Sequence, residues 1–298
     1  MTVCSRSTRW RSGWCSTTSP LVHVLCLVLT VVYVLLDKLR NFVAGIFIPQ
    51  YHCPYVVALS FAQVLVSLLV LNLLHLLGLV PLKPVSCSLA EKLLVPSICG
   101  SVLTVLSLWA QANGSSSGLF SVTLPLLPLL TAAFSFILKL STPPSAHVCV
   151  LVSMLSGTCL VAAVSSGVSV VEPLENLYAP LASLLHCLSL NWLLKVSEAE
   201  RLHHSDDSTS VFHLFHAQLV VQMWVLGLLW LLHPDGPGEV LSQGSWNSLL
   251  FHGYLLALLL LGMLLNFLVF ATALCVSPLS AAMLLSAEQV LKMLVSVL

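Results

Sequence analysis

Long apolar runs, broken by short polar stretches rich in glycine and proline, extend from one end of this chain to the other. About nine can be drawn, over residues 21–47, 54–77, 93–110, 119–138, 147–164, 177–194, 211–232, 249–274 and 279–298. A bilayer core takes roughly 20 apolar residues per helix, and most of the runs come near that length. A backbone in lipid must satisfy its own hydrogen bonds, so each run is expected to be a helix. The runs are too uniformly apolar for the alternating strands of a membrane barrel. The expected fold class is an all-α polytopic membrane protein. Breaks such as 78–84, 113–118, 142–144 and 233–238 are short and carry turn-forming residues, which makes consecutive helices antiparallel neighbours.

Composition strengthens this picture. Hydrophobic residues make up 58% of the 298 and charged ones 7%, against about 25% charged in an ordinary soluble domain. The formal net charge is +0, so nothing points to nucleic acid. The 10 cysteines are scattered without a Cys-x-x-Cys pair, which argues against a zinc ribbon or a thioredoxin-like site. Most lie in the apolar runs, where a thiol behaves as a small hydrophobe.

The organisation expected is a cytosolic tail over residues 1–20, six helices over 21–194, a solvated linker over 195–210, and helices seven to nine over 211–298. Arg6, Arg9 and Arg11 precede the first run, and Asp37, Lys38 and Arg40 follow within it. A retained signal anchor fits this order better than a cleaved signal peptide. Lys83, Lys92, Lys139, Lys195 and Arg201 fall in loops on the same side as the N-terminus, whereas the opposite loops carry Glu172, Glu175, Asp235 and Glu239. That bias is expected to hold the N-terminus in the cytosol. Asn113-Gly-Ser115 has the form of a glycosylation sequon on the other side, and a flexible turn is the preferred reading.

Polar residues inside the runs are the candidates for function, because a charge at the bilayer centre costs roughly 3 kcal/mol or more. Asp37, Lys38 and Arg40 either snorkel from the end of the first helix or line a cavity for an anionic substrate. Gln63, Asn72 and His75 in the second run can tie helices together by hydrogen bonds, and Gln63 is also a pore-lining candidate. In the seventh run His213 and His216 share a helix face. Ordinary hydrogen bonds are expected of them, with a metal site as the lesser alternative. Phe215, His216, Gln218 and Gln222 together combine an aromatic ring with amide edges, which suits a nucleobase. In the last run Glu288 and Lys292 are spaced to pair on one face, with Ser277, Ser280 and Ser286 nearby.

The eighth and ninth runs carry Gly262, Asn266-Phe267, Ser277-Pro-Leu-Ser280 and a central Gln289. This arrangement resembles the nucleotide-sugar transporters of the drug/metabolite transporter superfamily (the solute carrier 35-like family), nearest the branch carrying UDP-sugars. Asp37-Lys38 followed by Pro54 and Gln63, Thr123-Leu-Pro125, Ser156-Gly157 and Ala162-Ala163 are similar to pieces of that family elsewhere in the chain. The family differs at Glu288-Gln289, where it has a basic pair, at Thr131 and Ala132, where its nearest branch has arginines, and at Ala217, where it has a base-reading asparagine.

The resemblance implies two inverted five-helix repeats with a substrate site between them at the midplane. The chain stops near the end of helix nine, so the expectation is a second repeat lacking its tenth helix. The implied activity is exchange of a cytosolic nucleotide sugar for a luminal nucleoside monophosphate across the Golgi or endoplasmic reticulum membrane, by alternating access and without covalent chemistry. The protein is then no enzyme and needs no cofactor or metal. Its partners are the nucleotide sugar, the nucleoside monophosphate, membrane lipids and a second copy of the chain as a candidate. The contact residues implied are Lys38, Gln63, His216, Gln218, Asn266, Ser277, Ser280, Gln289 and Lys292. The alternative is a non-transporting relative acting through protein partners in trafficking or organelle biogenesis.

Overall fold

The computed structural model describes residues 20–51, 55–112, 123–141, 143–165, 175–203, 211–232 and 248–297. The N-terminal arginines, the sequon at Asn113, the acidic loop residues Glu172, Asp235 and Glu239, and the polar residues His204, Asp206 and Asp207 lie outside these. Among the described residues there is no strand. The helices are α1 Pro20–Tyr51, α2 Val56–Leu76, α3 Cys87–Ala112, α4 Leu127–Ile137, α5 Ala146–Ser165, α6 Glu175–His203, α7 Val211–Leu232, α8 Leu249–Cys275 and α9 Pro278–Val297, with a 3-10 turn at Leu124–Leu126 leading into α4. By length and composition, 5 helical segments can cross a membrane: Val56–Leu76, Cys87–Trp109, Leu177–Arg201, Val211–Leu232 and Leu249–Cys275. Leu124–Ile137 and Ala146–Val161 are apolar but shorter.

The packing is that of a protein whose solvent is lipid. Large apolar side chains such as Leu35, Phe42, Leu69, Leu151, Trp224 and Leu228 point outward, while Ser60, Gln63, Ser97, Thr131, Asn191 and Gln218 are buried. With no hydrophobic drive between helices in lipid, association rests on close packing and on polar contacts. Small residues supply the first: Ala273 of α8 and Ala281 and Ala282 of α9 are fully buried and pack with Leu127 of α4 and Cys187 and Leu190 of α6. α3 packs on α6 and α7, α8 on α1, α2 and α9, α2 on α7, and α4 on α6 and α9.

Polar side chains supply the second. Asn191 on α6 donates to the carbonyls of Thr131 (3.2 Å) and Cys187 (2.8 Å) and accepts from Ser135 Oγ (2.7 Å), so α6 is tied to α4. Pro96 lies inside α3, and its carbonyl accepts Ser189 Oγ from α6 at 3.2 Å.

The polar stretch from Lys195 differs from the expected linker. α6 continues as helix to His203. Glu200 is buried and forms an ion pair with Lys92 of α3 at 2.8 Å, and Glu198 accepts from Ser141, just after α4. Partners on two other elements hold this end in place, so its charges do not free it. The ends bearing Lys92, Lys139 and Lys195 thus gather at one end of the bundle. In the fourth run the described part starts at Thr123, leading into the turn Leu124–Leu126, and residues 119–122 lie outside the described set.

Candidate functional site

The centre of the bundle is built on two glycines. Gly262 on α8 has no side chain, and the carboxamide of Gln63 on α2 fills the space. A Cβ at Gly262 would come under 3.0 Å from that carboxamide. Gly100 on α3 is covered in the same way from α7: a Cβ there would lie 2.7 Å from Gln222 Nε2 and 3.9 Å from Gln218 Nε2. Each glycine thus opens a notch that lets a glutamine from a neighbouring helix approach closely.

Beside the Gly100 notch are polar atoms that the protein leaves unmatched: Gln218 Oε1 and Ser101 Oγ are buried and make no hydrogen bond among the described residues. His213 Nδ1 and His216 Nδ1 are also buried and unmatched, but they lie toward the end of α7 that faces Lys83, Glu200 and His75. Burying a polar atom unpaired costs about 1–3 kcal/mol, and such orphans in a folded protein mark places where something else supplies the partner. The backbone carbonyl of Gln218, by contrast, accepts Ser97 Oγ at 3.4 Å.

Asn266 adds an opening. It shares an inward stripe of α8 with Leu259, Gly262, Phe270 and Ala273, at the spacings that keep residues on one helix face. Those four are buried, yet Asn266 is exposed. An exposed polar residue in the middle of a buried stripe marks a place where the packing against α8 is open. Thr104 stands in the same relation to Gly100, one turn further along α3, and its hydroxyl donates to the Gly100 carbonyl at 2.8 Å.

The other candidates separate. Lys38 is exposed on the outward face of α1 beside Leu35, Leu39 and Phe42, a snorkelling position. Arg40 takes the inward place instead, near Asp37, and its Nε is buried. Ser277 and Ser280 are half-buried and bonded to each other (2.8 Å), with Ser277 Oγ accepting the Ser280 amide (3.0 Å). That is the local capping pattern of a helix start, here beginning α9 with Pro278 in its first turn. Gln289 and Lys292 belong to α9, but their side chains lie outside the described residues. Phe215, taken with its neighbours as a stacking platform, is buried in contact with Phe267 and Phe270, so packing occupies its ring.

The sequence reading did not single out Gly100, Ser97, Ser101, Asn191 or the Lys92–Glu200 pair. A search for internal repeats offers a signal for the first, because Ala-Gln recurs in α2 and α7, and each glutamine-bearing helix meets a glycine. Among the described residues no group of three or more His, Cys, Asp and Glu side chains comes together as a metal site.

The chain matches no protein-family model and no curated protein sequence. What the fold itself supports is a class: among the described residues, all-helical with several helices able to cross a membrane, consistent with a polytopic membrane protein.

Proposed function

We propose that the chain is a membrane carrier of the nucleotide-sugar type, moving its cargo by alternating access between two inverted repeats. The observation that carries this reading is the pair of glutamine-on-glycine contacts. α2 and α7 align from their first residues, with Val56 on Val211, Leu59 on Leu214, Ala62-Gln63 on Ala217-Gln218 and Val66 on Val221. Under that alignment α2 meets α8 through Gln63 and Gly262, and α7 meets α3 through Gln218, Gln222 and Gly100. Exchanging α1 with α6, α2 with α7, α3 with α8 and α4 with α9 carries the α3–α6 contact onto α8–α1 and the α3–α7 contact onto α8–α2, while α8–α9 has no such counterpart in α3–α4. Such repeats, with a polar site between them, are how many secondary carriers are built.

The chemistry of the centre favours a neutral, hydrogen-bonding part of the cargo. Carboxamides and a hydroxyl with free bonding capacity suit the edge of a nucleobase or the hydroxyls of a sugar. UDP-sugar is the cargo class the resemblance implies, with a nucleoside monophosphate in exchange. The basic loop residues put the N-terminus in the cytosol, and a Golgi or endoplasmic reticulum membrane follows from the cargo.

One observation favours the second reading, a non-transporting protein working through partners. Glu288 sits beside Asp37, where the resemblance calls for a cation to meet phosphate. The test is exchange in lipid vesicles reconstituted with the full chain and preloaded with nucleoside monophosphate. Uptake of one member of a panel of UDP-, GDP- and CMP-sugars, stimulated by the preload, is expected. No stimulated uptake of any of them would reject the carrier in favour of the partner-binding reading.

A further inference from the structure

The exchange of helices that relates the two repeats pairs the α3–α6 interface with the α8–α1 interface. Each is closed where the start of one helix meets the end of the other. Lys92 lies in the second turn of α3 and Glu200 in the last turn of α6, and their side chains form an ion pair at 2.8 Å. Phe251 lies in the first turn of α8 and Phe47 in the last two turns of α1, and their rings pack with centroids 5.4 Å apart. The same place in the two repeats is thus filled by opposite chemistries.

The two closures lie at opposite ends of the bundle. Phe47 and Phe251 share one apolar cluster with Leu108 of α3, and at 1.5 Å per residue Leu108 is about 24 Å along α3 from Lys92. Trp109, the next residue, packs on Tyr178 in the first turn of α6 with ring centroids 5.0 Å apart. Rings therefore hold α3 to α6 at one end, and charge holds them at the other. Phe47 and Phe251 are both buried, and a contact between apolar rings offers no charge for salt to screen. The Lys92 side chain is 35% exposed and that of Glu200 11%. Water reaches this pair, and dissolved ions weaken ion pairs so placed. Beneath it Leu89, Leu93 and Val196 continue the packing, so losing the pair loosens an end without unfolding it.

We propose that Lys92–Glu200 and Phe47–Phe251 are the two latches of the carrier, ionic at one end and aromatic at the other, so that ionic strength governs access from the Lys92 end alone. The pairing of the two interfaces rests on the carrier reading. When the Lys92 end opens, the start of α3 parts from Glu200 and α3 turns on the Trp109–Tyr178 contact, while Phe47 and Phe251 stay packed. When the opposite end opens, the start of α8 parts from α1 at Phe251 and the ion pair stays closed. In the orientation proposed for the chain, the ionic latch faces the cytosol.

The test measures each end separately, by spin-label distances in the full chain in lipid nanodiscs. One label pair is the native Cys87 at the start of α3 with Arg201→Cys at the end of α6, both exposed, with the other native cysteines replaced. The second pair, with every native cysteine replaced, is Phe42→Cys on α1 with Leu249→Cys at the start of α8, both exposed. Raising salt to about 1 M, where the screening length falls to about 3 Å, should increase the long-distance population of the first pair. The increase should be up to about fivefold, the most that a half-exposed ion pair is worth, and the second pair should not change. Glu200→Gln should give the same increase at low salt and abolish the response to salt. Phe251→Ala should lengthen the second distance at every salt concentration and leave the first alone. Salt that moves both pairs alike, or neither, overturns the proposal, as does a salt response that survives Glu200→Gln. Ends that respond separately in a chain that exchanges no nucleotide sugar would refute the carrier reading and keep the latches. Exchange in a chain whose ends respond alike would do the reverse.

Discussion

A methyl group added at Gly262 tests the central contact. It would lie under 3.0 Å from the Gln63 carboxamide, a separation that side-chain carbons do not tolerate. Overpacking of this kind costs about 1–3 kcal/mol. Alanine in place of glycine inside a helix returns up to about 1 kcal/mol. Gly262→Ala should therefore destabilise the wild type by about 0–2 kcal/mol, as the balance of the two. In a Gln63→Ala background the obstruction is gone, and the same methyl should stabilise by up to about 1 kcal/mol. The change of sign between backgrounds is a coupling of about 1–3 kcal/mol, within the range found for residues in contact. The assay is reversible unfolding in mild detergent for the wild type, both single variants and the double variant. Gly157→Ala and Gly253→Ala are controls, since no heavy atom lies within 4 Å of a Cβ at either, and each should be neutral or stabilising in both backgrounds. If the cost of Gly262→Ala is the same in the two backgrounds to within about 0.5 kcal/mol, Gln63 does not occupy the notch and the central geometry argued here is wrong.

Three further outcomes follow from other parts of the bundle. Asn191→Leu removes the two bonds that join α6 to α4, leaving Ser135 Oγ and the Thr131 carbonyl with only each other; a loss of about 1–3 kcal/mol in the same unfolding assay is expected, and an unchanged midpoint would count against the tie. Lys92→Ala combined with Glu200→Ala in a double-mutant cycle should give a coupling of up to about 1 kcal/mol, because the lysine side chain is 35% exposed and the glutamate 11%; the coupling should shrink in high salt, and one that salt does not touch would mean the pair is not what joins α3 to α6. In a background with the ten native cysteines replaced, Asn266→Cys should react with a water-soluble thiol reagent while Ala273→Cys does not; equal protection of both would mean that the packing against α8 is closed there.

The parts of the fold that follow from solvent were legible in the sequence, and those that follow from pairwise contact were not. Leu69, Trp224 and Leu228 face outward for the reason that makes their runs apolar, so helix positions could be drawn from hydropathy alone. Helix ends were less legible. Lys195–His203 has the composition of a loop, but α6 keeps going because Lys92 and Ser141 receive its acids, and those partners are far away in sequence. Which polar residue of α1 turns inward was also hidden. Lys38 and Arg40 are two residues apart, and a helix sends such neighbours to different faces; only the packing of Tyr33, Val34 and Ala44 settles that Arg40 is the inner one. Gln63 and Gln218 were found because amides are rare in apolar runs. Gly100 was missed because a glycine shows its purpose only when the side chain that fills its space is known.

The two kinds of polar contact in this bundle also differ in what they permit. Asn191 with Ser135 and the Thr131 and Cys187 carbonyls is a set of direct bonds, and sliding α6 along α4 would break the two that cross between the helices, those to Ser135 and the Thr131 carbonyl. The glutamine-on-glycine contacts are of another sort. They join helices by shape, and Gln218 Oε1 and Ser101 Oγ beside the Gly100 contact have no bonds to lose. Displacing α2 along α8, or α7 along α3, therefore exposes polar groups to water at little cost and can even satisfy them. In a carrier that rocks one repeat against the other, the α4–α6 pair is where rigidity is expected and the two glycine notches are where motion is cheapest. Gln218 Oε1 and Ser101 Oγ lie beside the Gly100 notch, so a cargo that bonds to them does so at the interface that has to move. Its binding energy would then act on the helix displacement directly, as coupling between occupancy and conformation requires.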